Sequence, residues 1–179
     1  MKSAVLVMVG CLAATAGGTD WRWRRIPNWL TVPGALLGLG MNSMASGWEG
    51  VKASLEGIAL GLALLFPFIF IRAIGAGDWK LVGAIGAFLG PRQLLSVLLV
   101  AVMVAGVMAA VLIVYKKRIG ESVRNIGRLL VALGTGHAGE RSVSLDNPEA
   151  LKVPFGVAVA LAVVVFVVGR LAWGGAAWF

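Results

Sequence analysis

The segment Gly75-Ala76-Gly77-Asp78-Trp79-Lys80 places an aspartate within a strongly apolar region that extends from Ile58 to Leu89. Ionisable groups near the depth of a membrane are rare and costly, so Asp78 is a candidate functional residue. Gly75 and Gly77 permit positive φ and close approach of another segment, and they predict a bend between two helices. The alternative is that Asp78 only caps the helix that follows it.

The composition indicates an integral membrane protein. Of the 179 residues, 59% are hydrophobic and 13% are charged, and the mean hydropathy is +0.91. Soluble domains carry about 25% charged residues, roughly twice this share. Because backbone polar groups in lipid must be satisfied within the protein, the default structure is helical. We therefore expect an all-α polytopic membrane protein.

The apolar runs predict a bundle of six transmembrane helices in a single membrane-embedded domain that covers residues 1–179. A spanning helix needs about 20 predominantly apolar residues. The first run could also be a signal peptide, but the three arginines that follow it favour a retained span. The predicted spans are 3–17, 30–45, 53–72, 80–90, 94–115 and 153–173. The fourth is short for a span, so it would tilt, begin inside the membrane or thin the bilayer locally.

The cytoplasmic loop 116–152 begins with an amphipathic pattern that predicts an interfacial helix. Apolar residues recur at steps of three and four, and arginines lie off that stripe. The apolar positions are Ile119, Val123, Ile126, Leu130 and Leu133. A basic helix of this kind lies on a membrane surface and binds anionic lipid. Two alternatives stay open: the helix docks on the protein's own loops, or it gates substrate entry.

The basic residues predict the orientation of the chain. The net charge of +8 falls mainly in loops, so the positive-inside rule explains it without a nucleic-acid partner. Twelve lie on one side: Arg22, Arg24, Arg25, Arg72, Lys80, Lys116, Lys117, Arg118, Arg124, Arg128, Arg141 and Lys152. Four lie on the other: Lys2, Lys52, Arg92 and Arg170. Both termini are then outside, and the loops that carry Asp20 and Asp78 face the cytoplasm.

The sequence predicts neither a metal centre nor a cofactor. Cys11 is the one cysteine, which excludes an intramolecular disulfide and a paired-cysteine zinc module. His137 is the one histidine, and its Gly-rich surroundings offer no ligand cluster. The sequence also has no phosphate-binding Gly-rich motif of the Walker type and no Ser/His/Asp set in a matching context.

Asp20 and Asp78 form a candidate catalytic pair. Each is expected to follow a glycine-containing bend at a helix end on the same side, whereas Asp146, the third aspartate, lies in a polar linker and indicates a turn. Two carboxylates a few ångströms apart cannot both ionise easily, so they share one proton. One carboxylate then activates water as a general base, and the protonated partner polarises a carbonyl and protonates the leaving amine.

The motifs around both aspartates resemble those of the type IV prepilin peptidases, which belong to the GxGD membrane aspartyl proteases. Gly75-Ala76-Gly77-Asp78-Trp79-Lys80 matches the GxGDxK pattern. The stretch from Asp20 to Asn28 matches the first family motif, an aspartate followed by a basic Ile26-Pro27-Asn28 run. Val153-Pro154-Phe155-Gly156 resembles the start of the family's last span. GxGD alone is a weak signal, but both motifs in this order and spacing are specific.

The resemblance implies six transmembrane helices, an Asp20–Asp78 dyad, and removal of a short basic leader from prepilins at the cytoplasmic face of the bacterial inner membrane. Larger family members carry a cytoplasmic domain with paired cysteines and also methylate the new N-terminus. The present chain resembles the short, peptidase-only branch of Flp or tight-adherence pili, and N-methyltransferase activity is not expected. Gly75, Gly77, Lys80, Ile26, Pro27 and Asn28 are the supporting motif residues.

The supporting residues have simpler explanations as well. Lys80 either stabilises the negative charge of the dyad or anchors at lipid headgroups. Pro27 and Asn28 either shape the bend that aims Asp20 or simply begin a helix.

Two other classes of function remain at this stage. A small transporter or proton-coupled carrier would use the same aspartates as a relay, and broken helices with Gly and Pro are common in carriers. Such a carrier should place its acids mid-span and show repeat symmetry between its halves. A structural component of a secretion assembly is the other class, but it gives no reason for two aspartates beside glycines on one side.

Overall fold

The computed structural model describes residues 3–70, 74–115 and 154–172, and every regular element in these ranges is an α-helix. The helices are α1 (Ser3–Trp23), α2 (Asn28–Phe70), α3 (Ala76–Tyr115) and α4 (Phe155–Ala172). All four are long and apolar enough to cross a membrane. The described part of the chain is thus all-helical, as the composition predicts, and the protein is a multi-pass membrane protein.

Helix α2 reverses direction at Gly47. The φ of Gly47 is 57°, a left-handed conformation that glycine adopts without steric cost. Asn42 donates a hydrogen bond from Nδ2 to Ser54 Oγ at 3.0 Å, across the reversal. Asn42 and Ser54 are 12 residues apart in the sequence and would lie about 18 Å apart in a straight helix. Segments 28–46 and 48–70 are therefore the two arms of a helical hairpin.

Helix α3 reverses in the same way at Gly90, whose φ is 74°. A Cβ built on Gly61 would contact both Val82, at 3.0 Å, and Leu94, at 3.2 Å. These two residues of α3 would be about 18 Å apart in a straight helix, so the arms 76–89 and 91–115 must lie side by side.

The arm 76–89 forms the centre of the bundle. Every residue from Leu81 to Gly90 is buried, which means that this arm is surrounded by protein on all sides. In contrast, the arm 91–115 has one packed face and many exposed apolar side chains, such as Leu99 and Val107. The sequence predicts a short span at 80–90, and burial inside the bundle explains how a short helix is accommodated, because neighbouring helices separate it from lipid.

Helix α1 differs from its predicted bounds. The sequence predicts that the first span ends at residue 17 and that a polar loop follows, but α1 continues to Trp23. Gly17 is helical and serves close packing, since a Cβ on Gly17 would lie 2.6 Å from the Cβ of Ala160 in α4. The predicted loop at residues 45–52 is also helical apart from the reversal at Gly47. The predicted amphipathic helix of loop 116–152 lies outside the described residues.

Candidate active site

The candidate active site lies where the end of α1 meets the starts of α2, α3 and α4. Asp20 belongs to the last turn of α1, and Asp78 belongs to the first turn of α3. Gly156, near the start of α4, is packed against the Asp20 side chain. All of the site residues predicted from the sequence lie in this region.

Asp20 is a buried residue of α1, with 7% of its surface exposed. Helix α1 ends within one turn of Asp20. Arg24 adopts a φ of 53°, and its N–H donates to the Asp20 carbonyl at 2.9 Å. Asp20 Oδ2 is buried and has no hydrogen-bond partner. The expectation that Asp20 follows a glycine bend in a loop is therefore wrong, because the helix itself carries the carboxyl group into the site.

Asp78 lies one residue after Gly77 and within the first turn of α3. Gly75 and Gly77 do not adopt the positive φ that glycine permits: within the described ranges, the positive-φ glycines are Gly47 and Gly90. The backbone of Gly75 faces the Asp78 carboxyl group, so Asp78 reaches back towards the start of its own helix. Asp78 Oδ1 is nevertheless buried without a hydrogen-bond partner, which simple helix capping does not explain.

The two carboxyl groups lie close enough to interact electrostatically, and the backbone of Gly156 faces both of them. Among the described residues, three buried polar side-chain atoms have no hydrogen-bond partner: Asp20 Oδ2, Asp78 Oδ1 and Arg170 Nε. Two of these three atoms are thus the carboxylate oxygens of the predicted pair. Buried polar atoms are normally hydrogen-bonded, so two unpartnered oxygens together indicate a functional site.

Ile26 joins the two segments that carry the aspartates. Its side chain is 8% exposed and lies between two glycines. A Cβ on Gly77 would lie 3.1 Å from the Cβ and the carbonyl oxygen of Ile26, and a Cβ on Gly156 would lie 2.8 Å from its Cδ1. Gly77 therefore provides the close approach that the sequence predicts, although without positive φ.

The remaining motif residues fix the starts of α2 and α3. The Pro27 carbonyl accepts hydrogen bonds from Leu30 N at 3.1 Å and Thr31 N at 3.4 Å, which begins α2. Lys80 Nζ donates to Asn28 Oδ1 at 3.0 Å and so links the two motifs directly. The one salt bridge in the described ranges joins Lys52 and Glu49, so Lys80 forms no ion pair with either aspartate there.

Gly156 is a site residue that the sequence alone does not identify. Its segment, Val153 to Gly156, indicates only the start of a span. The signal that identifies it is spatial, namely the contact of its backbone with both carboxyl groups. No group of three or more potential metal ligands occurs in the described part of the chain.

The fold and the site together define a class: a multi-pass helical membrane protein with a pair of acids, each with a buried carboxylate oxygen, at one end of its bundle. The model of the type IV leader peptidase family matches residues 6–111, which include both aspartates. The chain belongs to the type IV leader peptidase family. This finding confirms the resemblance that the two motifs indicate.

Two curated relatives agree with this membership. The chain is 29% identical over 119 residues to a prepilin leader peptidase/N-methyltransferase of Xanthomonas campestris pv. campestris, which covers 63% of this chain and 41% of the relative. It is 33% identical over 136 residues to a protein of the same name from Myxococcus xanthus, covering 72% and 35%. The chain thus spans less than half the length of either relative. No solved structure matches.

Proposed function

We propose that the protein is a membrane aspartyl endopeptidase that removes the short basic leader from type IV prepilins, with Asp20 and Asp78 as its catalytic pair. The observation that carries the proposal is the convergence of two buried, unpartnered carboxylate oxygens from different helices. Membership of the type IV leader peptidase family and the names of the two curated relatives support leader cleavage as the reaction.

The chemistry requires one proton shared between the two carboxyl groups. The ionised carboxylate accepts a proton from water, and the water oxygen attacks the carbonyl carbon of the scissile peptide. The protonated carboxyl polarises that carbonyl and then donates its proton to the leaving amine as the C–N bond breaks. The unpartnered atoms, Asp20 Oδ2 and Asp78 Oδ1, are the ones available to hold water between the two groups.

We propose a six-span topology with the active site facing the cytoplasm and both termini outside. The reversals at Gly47 and Gly90 support it, because each divides a long helix into two antiparallel arms. The hairpins return the chain to the end of the bundle where Asp20 and Asp78 lie. The distribution of Lys and Arg, with three arginines between Asp20 and Ile26, supports the cytoplasmic assignment of that end in the inner membrane.

We further propose that the substrates are Flp-type prepilins, in which a basic leader precedes an apolar helix. The sequence resemblance supports this choice. A site at the end of a membrane bundle suits such a precursor, since the apolar helix stays in lipid while the peptide bond beside it reaches the carboxyl pair. Anionic lipid is the proposed second partner.

The carrier alternative has no support from the described residues. A relay through the membrane needs acids at mid-span, but Asp20 and Asp78 both lie in terminal turns at one end of the bundle.

Leader removal by the purified protein in proteoliposomes, with a Flp-type prepilin as substrate, tests the proposal. We expect Asp20→Asn and Asp78→Asn each to lower kcat by roughly 10³-fold or more, because each removes one half of a unit that acts together. Asp146→Asn is the matched control and should cleave at the wild-type rate. Cleavage at wild-type rate by either site variant would contradict the proposal. Mass spectrometry of the product, formed with a methyl donor such as S-adenosylmethionine present, tests the prediction that its new N-terminus is not methylated.

A further inference from the structure

We propose that Gly156 is a positioning residue for the catalytic pair, because its missing side chain lets the Asp20 carboxyl group lie against the start of α4. This inference rests on the proposed function of Asp20 and Asp78. It adds a third structural component, contributed by a helix that carries no acid of the pair.

The start of α4 offers backbone donors to the site. The Pro154 carbonyl accepts from Val157 N at 3.2 Å and from Ala158 N at 3.3 Å, so the N–H groups of Phe155 and Gly156 have no carbonyl partner within the helix. The first turn of α4 contains no acidic side chain that would cap these groups. The backbone of Gly156 instead faces both Asp20 and Asp78, and the backbone of Val157 also faces Asp20.

The space beside Gly156 is too small for a side chain. A Cβ there would lie 2.8 Å from Asp20 Oδ2, 2.8 Å from Ile26 Cδ1 and 3.1 Å from Asp20 Cβ. Gly156 has no positive φ, so its backbone conformation is open to alanine. Alanine is also the better helix former, by about 1 kcal/mol. Any loss in a Gly156→Ala variant must therefore come from the side chains that its Cβ meets.

Displacement of Asp20 predicts a specific kinetic result. A misplacement of about 1 Å at a catalytic group costs roughly 10²-fold in rate. The methyl group needs a smaller shift than that, so we expect kcat of Gly156→Ala to fall by about 10- to 100-fold. KM should stay within about threefold, since the prepilin's apolar helix stays in lipid and the added methyl group lies at the carboxyl pair.

The experiment measures leader removal by purified variants in proteoliposomes. Gly18→Ala is the matched control: it adds the same methyl group two residues before Asp20, where nothing lies within 4 Å, and it should keep the wild-type kcat. The double variant Gly156→Ala with Ile26→Val distinguishes the contact with Asp20 from the contact with Ile26, because valine lacks the Cδ1 atom that the added methyl group would meet. We expect the double variant to stay 10- to 100-fold below Ile26→Val alone.

A wild-type kcat for Gly156→Ala, or restoration of the double variant to the level of Ile26→Val, would overturn the inference. In either case the proposed function would stand if Asp20→Asn and Asp78→Asn are inactive. Activity of those two variants would instead overturn the proposed function itself.

Thermal unfolding in detergent tests the same contact without activity. The decrease in unfolding temperature caused by Gly156→Ala should be smaller in an Asp20→Ala background, where the carboxyl group is absent. An equal cost in both backgrounds would overturn the inference, as would failure of Gly156→Ala to fold in both. Folding only in the Asp20→Ala background would support it, because the contact with the carboxyl group would then be the cause.

Discussion

Two partly buried polar clusters lie at opposite ends of the central arm 76–89, and their hydrogen bonding differs. At one end, Asp20 and Asp78 each keep a buried oxygen without a partner. About 15 Å further along the arm, Ser54 and Asn42 bind the carbonyl groups of Ala87 and Phe88. We call these two groups the carboxyl pair and the carbonyl cluster.

The carbonyl cluster satisfies groups that the reversal at Gly90 leaves free. In a continuous helix the Ala87 carbonyl would accept from residue 91, but that residue is a proline without an N–H. Ser54 Oγ donates to Ala87 O at 2.7 Å, and Asn42 Nδ2 lies 2.9 Å from Ala87 O and 3.0 Å from Phe88 O. A fold that satisfies buried carbonyl groups at one end could satisfy the other end too, so the unpartnered oxygens of the carboxyl pair indicate chemistry rather than poor packing.

Of the variants that distinguish the two clusters, Ser54→Ala is expected to lower stability the most. The side chain of Ser54 is fully buried, and its removal takes one hydrogen bond from Ala87 and one from Asn42. We expect the free energy of unfolding to fall by about 1–2 kcal/mol. Equilibrium unfolding in mixed micelles measures this change.

Two further variants complete that test. Ser96→Ala is the matched control, because the hydrogen bond of Ser96 is exposed and its Oγ lies 3.5 Å from its acceptor, so stability should not change. Asp78→Asn should leave the free energy of unfolding unchanged or raise it, since a neutral amide is cheaper to bury than a carboxylate. A loss of stability in Asp78→Asn as large as that in Ser54→Ala would remove the distinction between the two clusters.

A smaller effect is expected from Lys80→Met, which cuts the link between Lys80 and Asn28 at the edge of the carboxyl pair. The hydrogen bond is exposed, so we expect kcat/KM for leader removal to fall by only about two- to fivefold. Lys52→Met, close to the reversal of α2 at Gly47 and so at the opposite end of the bundle, is the matched control and should cleave normally. A loss as large as that of Asp20→Asn would mean that Lys80 acts on the carboxyl pair directly, and an unchanged kcat/KM would mean that the link positions nothing.

The sequence was sufficient to predict the helical membrane class and the family, and the structure brings the two predicted aspartates together. These predictions succeed because they depend on local features of the sequence, namely the lengths of the apolar runs and the motifs around Asp20 and Asp78. The reversal at Gly47 falls between the second and third predicted spans, and Gly90 is the last residue of the fourth. Both positions could be predicted because the apolar runs are interrupted there.

The packing roles of glycine could not be predicted from the sequence. Gly17 looks like the start of a loop, but its position against Ala160 keeps it inside α1. Gly156 looks like part of an ordinary helix start, and only the approach of Asp20 from another helix reveals its place in the site. The same holds for Asn42 and Ser54, whose shared acceptor, the Ala87 carbonyl, lies more than 30 residues away along the chain.

The most direct test of the account is cross-linking between positions 20 and 78 in membranes. Replacing Cys11 by serine removes the chain's one cysteine, and cysteines are then introduced at both aspartate positions. We predict that a short bis-thiol reagent joins this pair within one chain, and that it does not join position 78 to a cysteine at position 21, where Trp21 is 71% exposed. Failure of the first pair to cross-link, or equal cross-linking of both pairs, would contradict the convergence of the two carboxyl groups.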